Sequence, residues 1–107
     1  MLTRNAAIEI VGNYAREIEA QGIHLNKVIM FGSFAKGTQH EWSDIDVALV
    51  ADEFTGFGFA DKKLFSHTNI KKPYIRIEAK TYPTDYFHAS DPFIEEIKKD
   101  GILILNK

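Results

Sequence analysis

The sequence predicts an α/β fold, and three observations carry that prediction. Apolar residues recur at three- and four-residue intervals near the N-terminus, short apolar runs of strand length follow, and the two kinds of segment alternate along the chain. At 107 residues the chain has the size of one domain, taken as residues 1–107. A chain of this length buries about two-thirds of the surface its unfolded form exposes, enough for a core without disulfides.

Ala7, Ile8, Val11, Tyr14, Ala15 and Ile18 form the stripe of an amphipathic helix, which Thr3 or Asn5 can cap and Gly22 can end. Val28-Ile29-Met30-Phe31 reads as a buried strand. Ser33 is placed to cap a short helix through Lys36, with Gly37 ending it. Ile45 to Ala51, dominated by Val47, Leu49 and Val50, is the next strand. A loop through Gly58 precedes a helix from about Phe59 to Asn69. Pro73 then introduces the alternating strand Tyr74 to Thr81, and Pro83-Thr84-Asp85 is a turn. Asp91-Pro92 starts a helix with Asp at the N-cap and Pro at the first helical position, and Glu95, Glu96, Lys98 and Lys99 suit its dipole. Gly101 stops it before the last apolar run, Ile102 to Leu105.

The composition excludes several classes of function. Without cysteine there is no disulfide framework and no Cys-based zinc site. A net charge of -2 argues against a protein that holds long nucleic acid through phosphate neutralisation, though not against a small, metal-bridged nucleotide. No apolar run approaches the ~20 residues of a membrane-spanning helix. Met1 to Asn5 lacks the apolar stretch of a secretory signal, so a cytoplasmic protein is expected.

Gly32-Ser33 after a strand, ten residues, then Asp44-Ile45-Asp46 entering a strand is the sharpest chemical signal. Residues i and i+2 of a strand share a face, so Asp44 and Asp46 aim into one space while Ile45 and Val47 face the core. Two carboxylates that close repel by up to about 4 kcal/mol at an effective dielectric of 20. A divalent cation removes that cost, and hard oxygen ligands suit Mg²⁺. Gly32 permits a close backbone approach to phosphate, and Ser33 stands where a strand gives way to a helix start. Lys36, one turn along, can reach the same phosphates. On the later strand Ile75, Ile77 and Ala79 form the apolar face, leaving Arg76, Glu78 and Lys80 on the other. If that strand lies beside Ile45 to Ala51, Glu78 joins the acidic pair and can accept the proton of an attacking hydroxyl, with Arg76 and Lys80 flanking it, placed to meet phosphate. Three acids can support two metal ions.

Gly-Ser-x10-Asp-x-Asp with a later apolar-Glu-apolar strand resembles the DNA polymerase β-type nucleotidyltransferase superfamily. Gly32-Ser33-Phe34-Ala35-Lys36-Gly37 and Ser43-Asp44-Ile45-Asp46-Val47-Ala48-Leu49-Val50 are most similar to its minimal nucleotidyltransferases. The resemblance implies the nucleotidyltransferase fold, a small mixed β-sheet packed by helices. It implies ATP or another nucleoside triphosphate as substrate, two Mg²⁺ ions on Asp44, Asp46 and Glu78, and triphosphate contacts from Gly32 and Ser33. It further implies a helical HEPN-type protein partner in a hetero-oligomer, in which the small relatives act as antitoxins that adenylylate a tyrosine of the toxin.

Plainer readings stand beside these. Ser43-Asp44 can be a turn cap and Asp46 a solvated acid. His24, His40, His67 and His88 show no metal-ligand spacing, and Gly56-Phe57-Gly58 lacks a dinucleotide fingerprint. Phe54, Phe57, Phe59 and Trp42 can pack over the sheet or meet a base or partner. Two other functions stay open: a non-catalytic module that neutralises its partner by contact, and a small-molecule nucleotidyltransferase such as an antibiotic-modifying enzyme.

Overall fold

The fold was obtained as a computed structural model, which describes residues 1–88 and 91–107. A four-stranded mixed sheet is built from β1 (Leu25–Phe31), β2 (Ile45–Ala51), β3 (Ile77–Tyr82) and β4 (Ile102–Asn106), in the order β3-β2-β1-β4. β1 pairs antiparallel with both β2 and β4, whereas β2 and β3 run parallel. The expected mixed sheet packed by helices is what forms.

Helix α1 (Arg4–Ala20) lays its stripe, Ala7, Val11, Tyr14, Ala15 and Ile18, on one face of the sheet. Its N-cap is Thr3, whose hydroxyl accepts from Ala6 N at 3.1 Å. Helices α5 (Thr84–His88) and α6 (Pro92–Asp100) cover the other face, where Phe87, Ile94 and Ile97 meet Ile29, Phe31, Ala48 and Val50. Asp91 caps α6 by accepting from Phe93 N and Ile94 N. Among the described residues no helix is long and apolar enough to cross a membrane.

Several boundaries differ from the sequence reading, each for a physical reason. β1 starts at Leu25 because that fully buried side chain pairs opposite Ala51. The N-cap of the short helix α2 (Ser33–Lys36) is Gly32, and Ser33 is its first helical residue. The helix expected over 59–69 is broken into α3 (Gly58–Lys62), a 3₁₀ turn at Lys63–Phe65 and α4 (Ser66–Asn69). Phe65 leaves helical dihedrals (φ -139, ψ 31) and is buried against Tyr14 and Phe54. β3 begins three residues later than the alternation suggests. Buried Tyr74 closes a 3₁₀ turn over Lys72–Tyr74 and donates to Glu17 of α1, so Ile75, expected on the apolar face, is 71% exposed. The predicted turn after Pro83 becomes α5, whose Phe87 N donates to Pro83 O at 3.0 Å.

One residue holds the connection between β2 and β3 to the sheet. Asp61 of α3 is 1% exposed, and its carboxylate accepts from Thr55 N, Thr55 Oγ1, Gly56 N and Thr81 Oγ1 at 2.6–2.9 Å. Burial alone would raise its pKa, but the bonds from Thr81, Thr55 and Gly56 prevail and hold it below the usual carboxylate range. A depressed folded-state pKa gives stability that is present above the unfolded value of about 3.9 and is lost as pH falls through the folded one. Asp61→Asn turns a donor amide toward donors, so urea unfolding at neutral pH should show a loss of about 1–3 kcal/mol. The variant should also lose part of the wild-type protein's destabilisation below about pH 4.

Candidate active site

The acidic residues gather at one end of the sheet because of register. Asp46 of β2 lies between Phe31 of β1 and Glu78 of β3, each its direct partner across a strand pair. Partnered residues point to the same face, so the structure brings Asp46 and Glu78 together. Asp44 immediately precedes β2, two residues from Asp46. Asp44 and Glu78 are exposed and Asp46 is half-buried.

Gly32 ends β1 beside this cluster. It adopts φ +71, a conformation side chains rarely take, and a Cβ there would run into the Asp46 carboxylate. Glycine is therefore required twice at this position, by backbone geometry and by the acid behind it. Ser33 opens α2, is half-buried, and its hydroxyl makes no hydrogen bond among the described residues. Lys36 is exposed in the last turn of α2. It lines a cleft of about 170 Å³ with Phe31, Gly32, Phe93 and Glu96.

Arg76 does not share the open strand face with Glu78 and Lys80. It precedes β3, half-buried, and donates to Ser43 O at 2.5 Å and Glu41 O at 3.2 Å, with its guanidinium over the Phe34 ring. Ser43 is buried and its hydroxyl accepts from His40 N at 2.9 Å. Together Ser43 and Arg76 brace the loop that delivers Asp44. The turn cap read at Ser43-Asp44 is made by the Ser43 hydroxyl, three residues beyond the His40 N–H it accepts from, while the brace from Arg76 was not expected. Sequence reasoning also missed Phe93, which packs edge-on to Phe31 and carries the Lys80 ammonium over its ring at 5.6 Å.

The electrostatics are those of an acid cluster lacking enough positive charge. Burial, and then the charges of Asp44 and Glu78, push the Asp46 carboxyl above its usual pKa, while Lys80 opposes them. Among the described residues no group of three His, Asp or Glu side chains stands close enough to enclose a cation. Hard oxygen donors around a half-buried, repelled Asp46, with bare glycine backbone alongside, fit a divalent cation carrying phosphate oxygens.

Comparison with known proteins follows the same line. A family model described as a nucleotidyltransferase domain matches residues 6–104. No curated protein matches the chain. Among solved structures, the fold is similar to a Sulfolobus solfataricus protein provisionally described as a nucleotidyltransferase (TM-score 0.70, 18% identity, covering 97% of this chain and 84% of that one). It is also similar to a toxin–antitoxin structure with AMP-PNP (TM-score 0.62, 20% identity, 90% of this chain and 73% of that one). A mutant of the MntA-HpeT toxin–antitoxin gives a TM-score of 0.55 at 20% identity, over 99% of this chain and 75% of that one. At these identities the likenesses establish a shared fold.

A raised folded-state pKa means that ionised Asp46 costs the metal-free fold stability. The contribution of this residue is fully favourable below the ordinary Asp pKa and is lost as pH rises through the raised one. Asp46→Asn should therefore raise the Tm of the metal-free protein at pH 7, with the gain shrinking on acidification. Scanning calorimetry in chelator checks this; a lower Tm for the variant would contradict the electrostatic account. Gly32→Ala should destabilise by about 1–3 kcal/mol for the backbone conformation alone, read from its denaturation midpoint.

Proposed function

Because this chain belongs to the nucleotidyltransferase domain family, we propose that it transfers AMP from ATP to a hydroxyl of a partner protein, through the acids at the head of β2 and β3. The observation that carries this reading is the pairing of Asp46 with Glu78, which adds a third acid to the Asp44/Asp46 pair beside Gly32 and Ser33.

Asp44, Asp46 and Glu78 would hold the divalent ions, two Mg²⁺ by the count of acids. Mg²⁺ held there would neutralise phosphate charge and make the acceptor hydroxyl more acidic. The bare backbone at Gly32 admits the triphosphate closely, and the unpartnered Ser33 hydroxyl donates to a phosphate oxygen. Lys36 supplies a mobile positive charge on the same side. The acceptor oxygen attacks the α-phosphorus, the bond from that phosphorus to the bridging oxygen breaks, and pyrophosphate leaves. Glu78 takes the hydroxyl proton. Arg76, whose hydrogen bonds already go to Glu41 and Ser43 carbonyls, acts as a positioning residue for Asp44 in place of the phosphate contact expected from the sequence.

The acceptor we propose is a tyrosine of a helical HEPN-type toxin, and the chain acts as its antitoxin. Support comes from the toxin–antitoxin assemblies that share the fold, one of them holding an ATP analogue. The open acidic end of the sheet also suits an acceptor presented by a separate protein.

Incubation with Mg²⁺, α-labelled ATP and the product of the adjacent gene should label that product. The Asp44→Ala/Asp46→Ala variant should label it at least about a thousandfold more slowly, as expected when groups that stabilise developing charge are removed. Toxin neutralisation that survives in the variant, with no label transferred by the wild type, would replace catalysis with neutralisation by contact.

A further inference from the structure

The two edges of the sheet are built differently. β3 carries Glu78 and Lys80 outward and is followed directly by Pro83, features that discourage another strand from pairing. β4 reads Ile102-Leu103-Ile104-Leu105-Asn106, without charge or proline, and Leu103 is 51% exposed. Its inner side pairs with β1, with a register shift that leaves Ile104 between the Val28–Leu105 and Ile29–Leu103 pairs, and among the described residues no strand pairs with its outer side. A depression flanks it on each face of the sheet. One, of about 270 Å³, runs between β4 and α1, lined by Gly12 and Ile104 with Glu9, Arg16 and Glu19 at its sides. The other, of about 220 Å³, is lined by Ile29, Phe87 and Leu103, with Lys27 and Lys98 at its sides. An added strand sends alternate side chains to both faces, so this edge has room for one.

We propose that the occupant is β4 of a second copy, paired antiparallel so that two sheets join into one across a two-fold axis. The argument is charge complementarity. Glu9 and Arg16 lie three residues before and four after Gly12, on one face of α1. Neither makes an ion pair among the described residues. α1 runs alongside β4 in the same sense, since Glu19 near its end pairs with Lys107 just beyond β4. Ile104 is the midpoint of β4 and shares its depression with Gly12. A two-fold axis there reverses α1 of the second copy. Glu9 then faces Arg16 of the second copy and Arg16 faces its Glu9, the guanidinium turning outward from its place beside Gly12 and Asn13. An interface about a two-fold axis must be complementary to itself, and this surface is. The join lies at the edge away from β3, so it leaves Glu78 open to a separate acceptor.

Sedimentation velocity over a wide concentration range should show a species of twice the 12.2 kDa chain mass. Leu103→Lys and Glu9→Arg should each weaken the dimer about tenfold or more, the second by setting Arg against Arg. The reciprocal pair Glu9→Arg/Arg16→Glu should restore it, with circular dichroism confirming that each variant is folded. If Leu103→Lys fails to fold, the charge exchange decides alone. A monomer at every concentration, or a double exchange no tighter than Glu9→Arg, overturns the proposal. So does a lone monomer whose binding to another protein is lost in Leu103→Lys, because the edge then belongs to that protein.

Discussion

The parallel register between β2 and β3 is the constraint on which the candidate site depends. It sets Glu78 beside Asp46, and a slip of one residue would turn Glu78 toward the core and bring Ile77 or Ala79 out in its place. Parallel strands cannot be joined by a tight turn and need a crossover of a dozen or more residues. Here the crossover is the segment from Asp52 to Arg76, which holds α3 and α4. Asp61 ties that segment to β3 through Thr81, three residues beyond Glu78. A buried carboxylate far along the chain from the Asp44/Asp46 pair thus helps to hold the third acid in place. At the other end of the crossover, Tyr74 and Lys71 reach Glu17 of α1, so both ends are fastened.

The acid cluster is bought with stability that the core supplies. Asp46 is pushed toward its neutral form by burial and by its neighbours, an unfavourable arrangement for the fold alone. The same strand buries Ile45, Val47, Ala48, Leu49, Val50 and Ala51, packed from both sides of the sheet. Such a strand can carry an acid at its head without losing its place. Gly32 completes the arrangement, because any side chain there would displace the carboxylate it faces.

What could be read from the sequence follows the range of the interactions involved. α1, β2 and the capped start of α6 were legible because each is specified by neighbouring residues: a stripe, an apolar run, an Asp-Pro pair. Asp44 and Asp46 stand two residues apart in the chain, and the structure adds that the charge of Asp44 acts on Asp46. Glu78 was only conditionally legible, since its position depends on which strand β3 pairs with. Asp61 could not be found this way. In sequence it resembles a solvated acid in a helix, and its burial arises from contacts with a loop six residues back and a strand twenty residues on. The broken helix around Phe65 and the late start of β3 failed similarly, because aromatic side chains were drawn to α1 against the local pattern. Arg76 was placed on the right side of the chain but given the wrong contacts, since loop carbonyls that no periodicity reveals claimed its guanidinium.

The central claim is that these acids bind metal and triphosphate as one unit. A crystal of the protein grown with Mn²⁺ and an ATP analogue that cannot be cleaved between the α- and β-phosphates tests it most directly. The account predicts anomalous peaks within coordination distance of the Asp44 and Asp46 carboxylates, Glu78 turned toward them, and the triphosphate against Gly32 and Ser33. Manganese found elsewhere, or nucleotide bound with Asp46 left unligated, would contradict it.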